Sequence, residues 1–324
     1  MINRPVFVAA FFLCFIQMLS AQKQKVWIDT DIMIGKMGKD VDDGLALILA
    51  LKNNKINIRG ISLVHGVDYG AKVTQKILSY YGQGQNISVY KGAQSRAFLG
   101  KSNEAVEALA TQLKKEKLTL IALGQATNIA TLLQLYPGLE SQITEIIFCM
   151  GRRPNMHFRP GNKKNNFSDY NFDLDPDAME FILNTDIKIT LSCYEASVYV
   201  YLGKEDIKVF KNTGFEGDKW LYHQLRPWVR VWRIFIGSKK GFVPWDAITI
   251  GSVLTPQYFD YEKSIPVQIR KLPNDSKFIN KAPMKPYLLV SSDFTNEKRV
   301  NYCYKTSPEY KSYLLKTLPG KPSD

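Results

Sequence analysis

VWIDTDIMIGKMGKDVDDGLALILAL, residues 26–51, sets five aspartates between two apolar runs. "KVWI" before them reads as a short buried strand, and "VDDGLALILALKN" has the apolar spacing of a helix. Asp29 and Asp31 leave the strand; Asp40, Asp42 and Asp43 fall just before the helix or in its first turn. One or two acids there would cap the helix and complement its dipole. Five exceed that need, because crowded carboxylates repel and raise one another's pKa unless a cation neutralises them. Hard oxygen ligands favour Ca2+ or Mg2+, and calcium accepts the irregular geometry of loop carboxylates and carbonyls. Other readings of the stretch fail on single residues. "DTDIM" has Met33 where an Asp-x-Asp phosphotransferase loop wants Thr or Val, and "DVDDG" lacks the closing Glu of an EF-hand loop. No Gly-rich phosphate loop follows a strand, so a nucleotide cofactor is not indicated.

Outward from this stretch, strand and helix signals alternate. "INIRGISLVHG", "LTLIALG", "ITEIIFCMG" and "IKITLSC" read as strands, while "AKVTQKILSYYG", "ATNIATLLQLYP" and "DPDAMEFILNT" read as helices. This pattern predicts an α/β fold: an open, mostly parallel sheet with helices on both faces and a Rossmann-like core. Such sheets bind ligands at the carboxyl ends of their strands, where "DTD", "HG", "GQATN" and "MGRRP" all fall. Past Tyr258, "SIPVQIRKL" and "PYLLVSSDF" read as strands and "SPEYKSYLLKTL" as a last helix, closing a single domain over 22–324.

Composition narrows the partners. The 324 residues are 45% hydrophobic and 12% aromatic, enough for a substantial core. Residues 1–21 read as a bacterial signal peptide, with Arg4, the run "PVFVAAFFLCFIQML" and small residues near Ala21, so the chain is expected to be periplasmic or secreted with no stable membrane insertion after cleavage. Beyond it, Cys149, Cys193 and Cys303 are too few and dispersed for a disulfide framework, though one pair could bridge in an oxidising compartment. The net charge of +13 is spread without a long basic block, which argues against nucleic acid and leaves a general attraction to anionic surfaces.

Five segments, in order, resemble the calcium-dependent nucleoside hydrolases, the inosine-uridine preferring family: "DTD…DVDDGLAL", "GQATNIATLLQLYP", "ITEIIFCMGRRP", "DYNFDLDPDAMEFIL" and "VPWDAITI". The resemblance spans about residues 26–250. It implies hydrolysis of ribonucleosides to free base and ribose, a purine or pyrimidine salvage role, a small-molecule nucleoside or related riboside as partner, and room for a homo-oligomer. It also implies Ca2+ held by Asp31, Asp43 and Asp246 and the Thr127 backbone carbonyl, with Asp31 as general base toward calcium-bound water. Asp42, Asn171 and Asp169 would hold the sugar. The chemistry suits these residue types, since cleavage of an N-glycosidic bond passes through a cationic, oxocarbenium-like sugar that carboxylates stabilise. Taken singly, Thr127, Asn128 and Asp246 could be helix caps, and Asn171 and Asp169 ordinary loop polars.

Three departures bear on the mechanism. The segment between Asp31 and Asp42 carries an insertion hinged at Gly35 and Gly38, and its Lys36 and Lys39 could enter the pocket. Val67 stands where the family has a sugar-binding Asn, leaving Asp68 or His65 to substitute. Trp245 stands where many members have a proton-donating His; it can stack on a base but cannot act as an acid. His157 and His223 are alternative donors, although a lone His is more often a surface or packed residue. Tyr222, Arg226 and Arg230 fall in a helix that the family keeps beside the base, and their pattern equally fits a packed helix with a charged face. Two alternatives follow: a catalytically impaired riboside- or sugar-binding protein, and a hydrolase of a different ribosyl compound.

Overall fold

Aliphatic runs build one nine-stranded sheet in the computed structural model, which describes residues 23–161, 164, 166–192, 194–276 and 281–322. The strands are β1 (Gln24–Thr30), β2 (Ile56–Leu63), β3 (Val89–Lys91), β4 (Leu118–Ala122), β5 (Ile143–Phe148), β6 (Ile189–Ser192), β7 (Phe259–Pro273), β8 (Met284–Val290) and β9 (Arg299–Thr306). Their order is β3-β2-β1-β4-β5-β6-β9-β7-β8. Pairing is parallel from β3 through β9, and β7 runs antiparallel to both β9 and β8. The expected open, mostly parallel α/β sheet is therefore present, with a reversed edge at its C-terminal side.

Among the described residues ten α-helices cover it: α1 (Asp42–Leu51), α2 (Val67–Tyr81), α3 (Glu104–Leu113), α4 (Thr127–Leu135), α5 (Tyr170–Leu174), α6 (Pro176–Leu183), α7 (Tyr194–Ser197), α8 (Glu216–Val231), α9 (Trp245–Leu254) and α10 (Glu309–Thr317). One apolar layer joins α1, α2, α8, α9 and α10 through Leu45, Ile77, Leu225, Ile248 and Leu314. The opposite layer joins α3, α4 and α6 through Leu109, Ile129 and Met179. Every residue of α1 is buried, which explains why its sequence is apolar all round rather than striped. Cutting Ile48 to Ala there would cost about 2–5 kcal/mol in lost transfer energy and cavity.

Burial of α1 also fixes the site. Its acidic first turn points back to the carboxyl end of β1, and α9 packs beside it. The helix expected over 71–82 begins earlier, at Val67, because Gly66 takes a left-handed conformation that lets the chain turn straight off β2. β3, α3 and β9 were not anticipated: β3 is only three residues long and β9 gains its place only by pairing with distant β6 and β7, whereas α3 carries a readable helical stripe in Ala105, Val106, Leu109, Ala110 and Leu113. Cys149 and Cys303 are buried; Cys193 and the leader at 1–21 lie outside the described residues. No helix among the described residues is long and apolar enough to cross a membrane.

Candidate active site

The ends of β1 and β4 and the first turns of α1 and α9 bring aspartates from distant parts of the chain together. Thr30, the last residue of β1, donates its hydroxyl to Asp43 Oδ1. Asp42 accepts two backbone N–H groups, its own and that of Asp246, so its carboxylate ties the start of α1 to the start of α9. The Asp43 and Asp246 carboxyls are themselves in hydrogen-bond contact. Asp40 completes the group: ligand atoms of Asp40, Asp42 and Asp43 lie within 4.8 Å of one another. Gly124, two residues beyond β4, leaves room for Asp31, since a Cβ there would lie 3.1 Å from both Asp31 N and Oδ1 and 2.6 Å from Val64 Cγ1.

Every one of these acids is pushed upward. Burial, then Asp40 and Asp42, hold Asp31 well above the ordinary carboxylate range. Burial, then Asp40 and Asp43, raise Asp42, and burial, then Asp31 and Asp40, raise Asp43. Asp246 is raised by burial, by the adjoining Cys149 thiol, and by Asp43 and Asp42. The N-terminal ends of α1 and α9 favour negative charge here, but desolvation and mutual repulsion outweigh them. Two carboxyls in contact need either a shared proton or a cation between them. An oxygen-only donor set with that deficit fits a hard divalent cation.

Asp29 plays another part. Its Oδ1 accepts the Ser62 hydroxyl and, at 2.8 Å, the Asn128 amide, while Oδ2 is buried with no partner. Burial raises it to about 7. Asn128 also donates to Leu63 O and accepts from Ala93 N, so it pins the ends of β2 and β3 rather than capping α4. Thr127 opens α4; its hydroxyl donates to Asp175 and accepts from Gln125 at 2.8 Å.

Of the residues expected to hold the sugar, Asn171 donates its amide to Leu123 O at 2.6 Å and Cys149 O at 2.9 Å, which seats α5 across the ends of β4 and β5. Asp169 Oδ2 accepts Gly151 N–H at 2.7 Å, and burial raises that carboxyl to about 6. Tyr170, between them, was not singled out from sequence: burial and the charges of Asp31 and Asp40 raise its phenol, which places it at the acid cluster. Asp68 does not reach the site, because it is exposed and paired with Lys91 at 2.7 Å. His65 is half-buried at a left-handed φ of 56°, and burial and then Lys39 lower its pKa. Lys39 also faces Asp40, whereas Lys36 lies over the Tyr69 ring at 5.6 Å.

Trp245 opens α9 inside an aromatic cluster. Phe167 stacks on it at 5.6 Å and 23°, Phe158 meets it edge-on at 6.1 Å, and Trp232 lies at 5.8 Å. His157 is held by Asn166 at 2.8 Å, and His223 is exposed beside Tyr222. Neither shows a contact to the aspartates. Arg226 and Arg230 are exposed on α8, and it is Gln224 that meets the inserted loop at Gly35.

A buried oxygen-donor cluster at the carboxyl edge of a parallel sheet, bordered by aromatic side chains, defines a metal-dependent hydrolase type of site. The chain belongs to the inosine-uridine preferring nucleoside hydrolase family, whose model matches residues 26–285. It is similar to the pyrimidine-specific ribonucleoside hydrolase RihA of Klebsiella pneumoniae, 23% identical over 202 residues, and to that of Citrobacter koseri, 24% identical over 202 residues. Each match spans 53% of this chain and 63% of the relative. Among solved structures, the plant nucleoside hydrolase PpNRh1 and a purine-preferring ribonucleoside hydrolase from Gardnerella vaginalis each superpose with a TM-score of 0.73 at 18% identity. Each superposition covers 91% of this chain and 98% of the other. These likenesses support the fold directly.

Proposed function

We propose that the chain hydrolyses the N-glycosidic bond of ribonucleosides, with Ca2+ as the resident cation. The observation that carries this reading is the contact between the buried carboxyls of Asp43 and Asp246, inside a cluster whose every acid is raised and which shows no cationic partner reaching Asp31, Asp42, Asp43 or Asp246 among the described residues. Asp31, Asp43, Asp246 and the Thr127 carbonyl would hold the cation. When bound, Ca2+ supplies a Lewis-acid centre that acidifies water and grips vicinal hydroxyls. Asp31 accepts the proton of the attacking water, Asp42 holds a sugar hydroxyl, and the carboxylate ring stabilises positive charge as the C1′–N bond opens. Asn171 and Asp169 set the far side of the sugar. A site that pairs both ribose hydroxyls discriminates against deoxyribose, because one unpaired buried group is costly.

The test is release of ribose from a panel of purine and pyrimidine nucleosides, with calcium and with chelator, alongside Asp31→Ala. Chelator-sensitive release that vanishes in the variant supports the reading. A second reading is favoured by the packing of Trp245, which cannot protonate a departing base and is already stacked on Phe167. In that case the chain binds ribosides, calcium-dependently, without turnover. A third, a hydrolase of another ribosyl compound, would release ribose only from ribosides with unusual leaving groups. Export past the inner membrane and a homo-oligomeric state belong to the same proposal; cell fractionation and sedimentation check them.

A further inference from the structure

α8 and the π-helical turn that follows it carry a basic stripe that the aspartate site does not use. Lys219, His223, Arg226, Arg230 and Arg233 recur at intervals of four, three, four and three residues, the spacing that aligns side chains along one helical face. All five are exposed. The helix is held down from elsewhere on its circumference, through buried Leu221, Leu225, Val229 and Trp232. Gln224, which meets Gly35 at the site rim, stands about 160° around the helix from Arg226, so the stripe does not face the aspartates.

Sequence and surface agree on the sign of this face. From Lys219 to Trp245 there are six Lys and Arg residues and no acid. Lys219 meets Glu216 at 3.7 Å, whereas among the described residues Arg226, Arg230 and Arg233 have no ion-pair partner. Complementing the helix dipole would involve only the last turn, which leaves Lys219, His223 and Arg226 unexplained. The stripe ends in a single π-helical turn, Trp232–Ile236, where Ile234 is 69% and Phe235 68% exposed. Two adjacent large apolar side chains in water, at the end of a row of arginines, combine the two signals of an interfacial anchor.

We propose that this face docks the protein on an anionic lipid bilayer, the arginines at the phosphate headgroups and Ile234 with Phe235 entering the interfacial layer. A polyanion such as nucleic acid would engage the arginines but would give an aliphatic side chain nowhere to be buried. The net charge of +13 adds longer-range attraction to the same kind of surface. None of the residues of this face is among the proposed metal or sugar contacts; Arg226 and Arg230 lie on the helix that the resemblance sets beside the base, so the readout is vesicle binding and not turnover.

The test is co-sedimentation with vesicles of phosphatidylcholine alone or mixed with phosphatidylglycerol, at low and high salt. The processed and full-length chains are run in parallel, so that any affinity of the leader itself is separated. Binding should require phosphatidylglycerol and fall with salt. Replacing Arg226, Arg230 and Arg233 by Gln should weaken it roughly 100-fold, about fivefold per arginine. Ile234→Ser with Phe235→Ser should weaken it at unchanged charge. Thermal unfolding of each variant, matching the parent, verifies folding. Equal binding to both vesicle types, or charge variants that bind like the parent, overturns the proposal. So does tight binding to single-stranded DNA that the Ile234 and Phe235 changes leave untouched while vesicle binding is absent.

Discussion

Asp43 and Trp245 stand near the starts of two helices packed side by side, α1 and α9, yet their surroundings differ in kind. Asp43 touches the Asp246 carboxyl, and burial with the charges of Asp31 and Asp40 pushes it upward. Trp245 touches Phe158, Phe167 and Trp232, each of which packs well against it. The acid end is frustrated without a cation, whereas the aromatic end is already satisfied. A cation at the first would relieve repulsion; a base stacking at the second, as proposed, would compete with packing that exists. The two ends should therefore respond oppositely to change: the acid end loses function when altered, and the aromatic end can gain it.

The largest expected effect breaks the acid end. Asp31→Ala removes both a proposed cation ligand and the proton acceptor, and turnover of the best nucleoside should fall about 1000-fold or more. Steady-state assay at saturating substrate decides it. A loss confined to KM would assign Asp31 to substrate binding alone.

A buried acid outside the cluster sharpens the contrast. Glu195, in α7 beyond β6, accepts Arg153 N–H at 2.8 Å through Oε1, but its Oε2 is buried without a partner. Burial raises it from 4.5 to about 7, against the smaller lowering effects of the Arg153 N–H, its own backbone N–H and the Arg153 and Arg152 charges. Because the folded state holds this proton more tightly than the unfolded chain does, stability is greatest below about 4.5 and is lost as pH rises to about 7. Glu195→Gln should remove that slope and stabilise the protein by about 3 kcal/mol at pH 8, read from denaturant unfolding across pH. No cation should substitute for the mutation here. An unchanged pH profile would place the burden on other groups, Asp29 first.

Calcium tests the acid end by a different route. At about 100 times its dissociation constant a ligand specific to the folded state adds about 2.7 kcal/mol. The melting temperature should rise with calcium and fall with chelator, and the rise should disappear in Asp43→Asn. That variant should also melt higher than the parent when both are chelated above neutral pH, since it removes one of two carboxyls in contact. A variant that melts lower would mean that the Thr30 hydrogen bond outweighs the repulsion relieved.

How much of this was legible in the sequence follows the same division. Asp31, Asp42 and Asp43 lie within thirteen residues, so their crowding could be read directly, and the parallel sheet followed from apolar strands alternating with helices. Asp246 was reachable through the order of motifs. The partners of Asp29 were not, because Ser62 and Asn128 are 33 and 99 residues away and carry no local mark. Tyr170 lies between the two candidate sugar contacts Asp169 and Asn171, yet a tyrosine at a helix start is usually packing. The surroundings of Trp245 were illegible for a similar reason: "WDAITI" shows a helix start, but Phe158 and Phe167 reach it from 87 and 78 residues upstream. The α8 stripe was visible as charge, and only exposure separated its basic face from the face that meets the inserted loop.

Trp245→His addresses the aromatic end and carries the smallest effect. Histidine at this position would put a titratable donor next to Asp246, where a departing base needs a proton, and general acid catalysis contributes about 100-fold or more when geometry is good. Here the gain should be nearer tenfold. The smaller ring leaves a gap against Phe158, Phe167 and Trp232 that costs about 1–3 kcal/mol and loosens the position of the new imidazole. The gain should be largest for nucleosides with poor leaving groups, where protonation matters most, and the pH profile of kcat should acquire a descending limb near the imidazole pKa. A variant with unchanged kcat and no new limb would mean that the base leaves without enzymic protonation. Its departure would then depend on charge stabilisation at the acid end alone. If Phe167→Ala in addition raises the rate, the stacked pair itself is what keeps a base from its place over residue 245.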